Sequence, residues 1–186
     1  EKGDNAKMEK KTIYLQENQI DETKINEISN AIKEGKIIIF PTDTVYGIGT
    51  NAYDENACKK IYEIKRRPSY KPLIVLISDI SMIENLVEIK SPMERKLIEK
   101  FWPGSLTIKF KKRKNALPDI IAEGNEYLGI RLIKNGLIYN IIEKAGVPIV
   151  APSANLSGHP TGIKIENIIE ELGGKVDYIL DCCDYK

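Results

Sequence analysis

The 186-residue chain has a single histidine, His159, and three cysteines, Cys58, Cys182 and Cys183. One imidazole rules out a zinc site built on several histidines. It also leaves a Ser-His-Asp triad one possible base, and that base sits in a Ser157-Gly158-His159-Pro160 turn. The cysteines form no Cys-x-x-Cys pair, and adjacent Cys182 and Cys183 are poorly spaced to bond each other. A reducing compartment follows. No stretch has the ~18 consecutive apolar residues of a membrane helix. Residues 1–11 are charged and carry no apolar signal core, so the expected location is cytoplasmic, with no membrane partner. No Gly-x-x-x-x-Gly-Lys-[Ser/Thr] loop occurs, and Gly47-Ile48-Gly49 lacks the third glycine of a dinucleotide fingerprint. Any nucleotide must sit in an unrelated cradle. Aromatic residues make up 7%, and no stacking motif or arginine-rich arm of an RNA reader is present.

What is present is ordinary for a globular protein: 42% hydrophobic and 30% charged residues. Basic and acidic residues number 28 and 27, for a net charge of +1. That balance argues against a broad basic face, though it permits a local one. The length suits one domain. Residues 1–11 read as a disordered lead-in or an expression remnant, and 12–186 as one domain. Hydrophobic periodicity predicts strands at 12–15, 36–40, 45–52, 73–77, 106–110, 127–132, 148–151 and 178–180. Helices are predicted from about 25 to 32, 54–66, 80–87, 93–101, 137–142 and 165–172, the second opened by Asp54 as N-cap. Alternating strands and helices without repeats predict one layered α/β domain (mixed α+β) around a twisted sheet.

Small, polar and glycine residues interrupt the apolar runs at four strand ends, where α/β domains tend to collect ligands. Thr42, Thr44 and Tyr46 lie in Pro41-Thr42-Asp43-Thr44-Val45-Tyr46-Gly47-Ile48, a turn that can either line a polar pocket or satisfy its own backbone. Lys65 extends the helix face of Cys58, Ile61 and Tyr62, and Arg67 follows with a planar fork suited to phosphate or carboxylate. Both cations could equally complement a helix C-terminus in solvent. Ser105 and Thr107 follow Trp102-Pro103-Gly104, with Trp102 expected in the core. Ser153 and Asn155 lie two apart in Ser153-Ala154-Asn155-Leu156-Ser157-Gly158, as ligand donors or as a capping turn.

In this order the segments resemble the threonylcarbamoyl-AMP synthase family, the proteins of YrdC-like fold. The family pattern runs Pro-Thr-[Asp/Glu]-Thr-x-Tyr-Gly, then Lys-x-Arg-Pro-x-x-x-Pro-Leu, Pro-Gly-x-[Leu/Met]-Thr, a strand-end Arg, and Ser-Ala-Asn-x-Ser-Gly. Residues 41–48, 65–73, 103–107, 131 and 153–158 match it in turn. The resemblance implies a single twisted open mixed sheet, flanked by helices, with a large concave cavity. It implies an enzyme, a nucleotidyltransferase that makes threonylcarbamoyl-AMP from L-threonine, bicarbonate or CO2, and ATP with Mg2+. The product serves threonylcarbamoyladenosine modification of tRNA through a downstream transferase machinery. By the same resemblance Lys65 and Arg67 are catalytic. Thr42, Thr44, Tyr46, Arg67 and Thr107 bind threonine. Lys65, Arg67, Arg131, Ser153 and Asn155 bind ATP, and no protein metal site is expected.

Three departures stand out. Leu132 and Ile133 follow Arg131 where many relatives place a proline, and Ile74, Val75 and Leu76 stand where many show a histidine. The serine- and threonine-rich segment that closes the relatives' nucleotide site has no counterpart before Lys186. This implies either a site without that lid or a stretch of a longer chain. Two other readings compete: an RNA-binding accessory protein in ribosome or tRNA maturation, with weak RNA contact, and a carbamoyl-adenylate former within a larger maturation enzyme.

Overall fold

The computed structural model describes residues 10–160 and 164–182. In chain order these form β1 (Ile13–Gln16), α1 (Glu22–Lys33), β2 (Ile38–Pro41), β3 (Tyr46–Asn51), α2 (Glu55–Lys65), β4 (Val75–Ile77) and β5 (Val87–Glu88). There follow α3 (Pro92–Phe101), β6 (Ile108–Lys112), β7 (Tyr127–Leu132), α4 (Leu137–Ala145), β8 (Ile149–Val150), α5 (Ile165–Leu172) and β9 (Tyr178–Asp181). The strands make one mixed sheet in the order β1-β9-β2-β3-β8-β4-β7-β6-β5. The expected fold class holds. Most of the lead-in expected at 1–11 lies outside the described residues. Lys10 is already tied in, its N–H donating to Gly174 O at 2.8 Å.

Alternation along the strands sorts the core into two layers. Ile37, Ile39, Tyr46, Ile48, Val75 and Ile77 point to one face and meet Cys58, Ile61 and Tyr62 of α2 and Ile168 and Leu172 of α5. Ile38, Phe40, Leu76 and Ile149 point to the other and meet Ile28 and Ile32 of α1 and Ile138, Ile141 and Ile142 of α4. That second layer takes its strand residues from β1, β2, β4, β8 and β9 and none from β6 or β7. Among the described residues, no helix of that layer covers the sheet face at β6 and β7.

One predicted helix is corrected. Residues 80–87 form a single 3-10 turn, Ile80–Met82, and then enter β5. Ile83 and Leu86 are buried as helical spacing suggested, but Val87 and Glu88 pair with Lys112 and Lys111. Strand pairing outweighs local periodicity there.

The two glycines of β3 keep the strand regular by leaving room for neighbours. A Cβ on Gly49 would fall 2.6 Å from Val150 O and 2.9 Å from the Phe40 ring. Backbone oxygen cannot step aside, so Gly49→Ala is expected to cost about 1–3 kcal/mol by overpacking. A urea midpoint equal to the parent's would refute that.

Candidate functional site

The first motif folds as the hairpin between β2 and β3. Thr42 turns its hydroxyl inward: Oγ1 donates to Val45 O and accepts the N–H groups of Thr44 and Val45, each at 3.2 Å. Thr44 Oγ1 lies 3.4 Å from it. The neighbouring carboxylate reaches outward, Asp43 Oδ2 standing 2.7 Å from Arg131 Nη2. Arg131 Nε donates to Gly104 O at 2.8 Å. One guanidinium therefore links the hairpin, the end of β7 and the Trp102-Pro103-Gly104 turn. Trp102 is buried as expected, and its Nε1–H donates to Leu106 O at 2.8 Å.

The second group forms where α2 ends. Asp54 caps the helix, accepting the Ala57 N–H at 3.0 Å, and Arg66 closes it in the left-handed region at φ 50°. The inward face carries Lys65 into the protein, where it is 1% exposed. Its ammonium donates to Ser153 O, to Asn155 O at 2.8 Å and to Asn155 Oδ1 at 3.2 Å. Ser153 Oγ donates to the same Oδ1 at 2.6 Å, and Asn155 Nδ2 donates to His159 O at 2.8 Å. The turn is also sewn onto β3: Ala154 N–H donates to Tyr46 O at 2.8 Å, Ile48 N–H donates to Pro152 O at 2.9 Å, and Ser153 bridges Gly47.

The remaining expected residues are placed as follows. Arg67 is half-buried and bonded to its own loop, Nη2 donating to Pro72 O at 2.8 Å. No carboxylate among the described residues pairs with it. Thr107 lies against Gly129, whose missing Cβ would meet the threonine methyl at 3.2 Å. Tyr46 is buried on the α2 side of the sheet, its hydroxyl donating to Asp181 Oδ1 at 3.2 Å.

Pairing places Arg131 and Ser153 on the opposite side. Arg131 is in register with Leu76, whose side chain joins the α1–α4 layer. Ser153 is paired with Gly47, which backs onto Phe40 of that same layer. A cleft of about 750 Å³ opens on this side. It is lined by Thr42, Asp43 and Arg131, floored by Leu76 and Ile133, and bounded by Gly136 at the start of α4. Thr44, Thr107, Lys65, Arg67, Ser153 and Asn155 stand outside its lining. Sequence reasoning missed Asp43 as Arg131's partner, although it sits inside the first motif. It also missed the Gly104 carbonyl, which no side-chain pattern announces.

The five motif segments are therefore joined by hydrogen bonds. The second holds the fifth, the fifth is sewn to the first, and the fourth ties the first to the third. The profile of the Sua5/YciO/YrdC family, described as "telomere recombination", matches residues 30–185. The chain belongs to this family. It is 41% identical over 157 residues to the threonylcarbamoyl-AMP synthase of Bacillus subtilis, covering 84% of the chain and 45% of the relative. It is 39% identical over 182 residues to the putative threonylcarbamoyl-AMP synthase of Methanocaldococcus jannaschii, covering 96% and 84%. The crystal structure of Pyrococcus abyssi Sua5 complexed with L-threonine matches with a TM-score of 0.85 at 38% identity, over 93% of this chain and 50% of that one. The chain thus spans about half the length of two of these three family members.

Burial gives Lys65 a measurable signature. Desolvation, helped by the nearby charge of Arg67 and opposed by Glu171, pushes its ammonium down to about 8. Between that value and the ~10.4 of an unfolded lysine, the unfolded chain holds a proton that the native one has lost, so stability rises with pH. Below 8 the burial cost is fully present. Cys58, its thiol pushed up to about 12 by burial, acts oppositely once unfolded thiolate forms near ~8.5. Urea unfolding is expected to show stability climbing from pH 8, by up to about 1 kcal/mol per pH unit, then flattening above pH 9. A Lys65→Met variant should lack the climb, and an identical climb in that variant would remove Lys65 as its source.

Proposed function

We propose that the chain forms L-threonylcarbamoyladenylate and pyrophosphate from L-threonine, bicarbonate or CO2, and ATP. The observation that carries this reading is the joining of all five motif segments, drawn from residues 41 to 158, into one bonded network beside an open cleft. The curated relatives carry the name threonylcarbamoyl-AMP synthase, and a related Sua5 structure holds L-threonine.

The chemistry asks for alignment and charge more than for a side-chain nucleophile. The threonine amine attacks CO2 and releases a proton, giving a carbamate; where bicarbonate is the source, water leaves. A carbamate oxygen then attacks the α-phosphorus of ATP, and the bond to pyrophosphate breaks. Arg67, a cation without a carboxylate partner among the described residues, meets the threonine carboxylate or the developing charge. Arg131, on the cleft wall, meets the nucleotide. Ser153 and Asn155 present the phosphate-binding turn. Lys65 braces that turn from beneath and brings its charge to the site through it. Thr42, Thr44 and Thr107 border the amino acid. Tyr46 contributes through its carbonyl, which fixes Ala154.

Magnesium fits as a companion of the triphosphate. The described residues contain no cluster of three His, Cys, Asp or Glu side chains able to cage a metal. Asp43 and Glu17 are the carboxylates on the cleft; Asp43 is engaged by Arg131, which leaves Glu17 for Mg2+, an ion that commonly takes one or two carboxylates with substrate phosphates. There it would neutralise phosphate charge. The adenylate would pass to the tRNA threonylcarbamoyl transferase machinery. The reaction belongs in the cytoplasm, and no described helix is long and apolar enough to cross a membrane.

Mass spectrometry after incubation with ATP, bicarbonate and each of threonine, serine and valine tests the reading. Threonylcarbamoyl-AMP should accumulate with threonine, a weaker serine analogue should follow, and valine should give almost none. A lost methyl costs only about 1–3 kcal/mol, whereas a lost hydroxyl strands a buried polar partner. Absence of adenylate with threonine would overturn the assignment.

A further inference from the structure

The Ser153–Asn155 turn is braced by Lys65 from one side and by α5 from the other, and the second brace is a single carboxylate. Glu171 Oε2 accepts the Leu156 N–H at 3.2 Å, and Oε1 lies 3.1 Å from His159 Nδ1. Its helix is fixed to the core by Ile168 and Leu172, which are 1% and 0% exposed. Its two bonds therefore measure the turn against a rigid element. The two residues it holds are the ones that hold Asn155: Nδ2 donates to His159 O at 2.8 Å and to Leu156 O at 3.2 Å. His159 N–H in turn donates to Leu156 O at 3.0 Å. The carboxylate of Glu171 thus controls where residues 156–159 sit. Those residues control the amide of Asn155, and that amide carries the Oδ1 shared by Ser153 and Lys65.

We propose that Glu171 is a positioning residue for nucleotide binding, a two-pronged clamp that sets the Ser153–Asn155 turn by spanning Leu156 N–H and the His159 ring. It touches no substrate. The proposal rests on the reading of that turn as the phosphate site. It adds that the turn's geometry is dictated from α5, outside all five motifs. Its charge also supports the ammonium on the far side of the turn, since Glu171 raises the proton affinity of Lys65.

The span makes the role specific. Gln keeps the length, an oxygen for Leu156 N–H and a group able to bond Nδ1. Asp is one methylene short of reaching both, and Ala reaches neither. Hydrogen–deuterium exchange of residues 153–159 and steady-state kinetics on the full chain separate these cases. In Glu171→Ala and Glu171→Asp, exchange in that segment should speed up. KM for ATP should rise about tenfold, the effect of one charge-assisted hydrogen bond. The kcat and the KM for threonine should change less than about twofold, because the amino-acid side is held by other bonds. Glu171→Gln, which keeps both bonds and loses only the charge, should match the parent in exchange and recover most of the loss in KM for ATP. Unchanged exchange in Glu171→Ala would overturn the clamp, as would equal rises in the KM for ATP and threonine, or failure of Gln to rescue. If the parent chain makes no adenylate, the functional reading fails by itself while exchange still judges the clamp.

Discussion

Lys65→Met is expected to lower adenylate formation by about two to three orders of magnitude, the usual cost of removing one preorganised electrostatic contact, while leaving a folded protein. Methionine fills similar space, and the apolar surroundings of Cys58, Ile61 and Tyr62 accept it. What it cannot do is donate. Ser153 O, Asn155 O and Asn155 Oδ1 all lose the ammonium that converges on them, and a buried acceptor left without a donor costs about 1–3 kcal/mol. The turn then relaxes and the positive charge beneath it is gone. Rates measured by pyrophosphate release, with circular dichroism to confirm folding, decide the matter. A variant within threefold of the parent would show that Lys65 is packing alone.

Arg131→Ala is expected to raise the KM for ATP by roughly one to two orders of magnitude, in line with hydrogen bonds to charged groups. Arg131→Lys should be almost as poor, because a lysine cannot hold two directions with a fixed fork. Asp43→Ala separates two roles for this guanidinium. If Arg131 meets the nucleotide, freeing it from Asp43 leaves most of the activity. If it serves only to pin the hairpin to the Gly104 turn, Asp43→Ala should cost as much as Arg131→Ala. Equal losses in both variants would therefore withdraw Arg131 from nucleotide binding.

Much of this arrangement could be read from residue order. The stripe of Cys58, Ile61, Tyr62 and Lys65 gives the inward face of α2, and Lys65 indeed follows it into the core. Its three acceptors lie 88 and 90 positions away, and no local pattern specifies such a meeting. Tyr46 shows the opposite case. Its motif membership suggested a pocket residue, yet strand alternation with Gly47 and Gly49 sends its ring to the α2 side, beside Ile48. The 80–87 stretch has apolar residues at helical spacing, but two of them reach the core from a turn and a third pairs across the sheet. Glu171 carried no motif signal at all, because its contacts join a helix to a loop.

The pairing of β1 with β9 has a consequence for how the protein is made. Ile13 faces Tyr178, and Gln16 faces Asp181, in a parallel ladder. Among the described residues, β1 lies at the sheet's edge with β9 as its one neighbour. During synthesis β1 emerges well before β9, the strand it pairs with. Until then Leu15, buried in the finished sheet, stays exposed, and β2 lacks its parallel neighbour on that side. Contacts of such long sequence separation form late and slowly. The hairpin of β2 and β3, which carries the first motif, can assemble long before the strand that locks its outer edge.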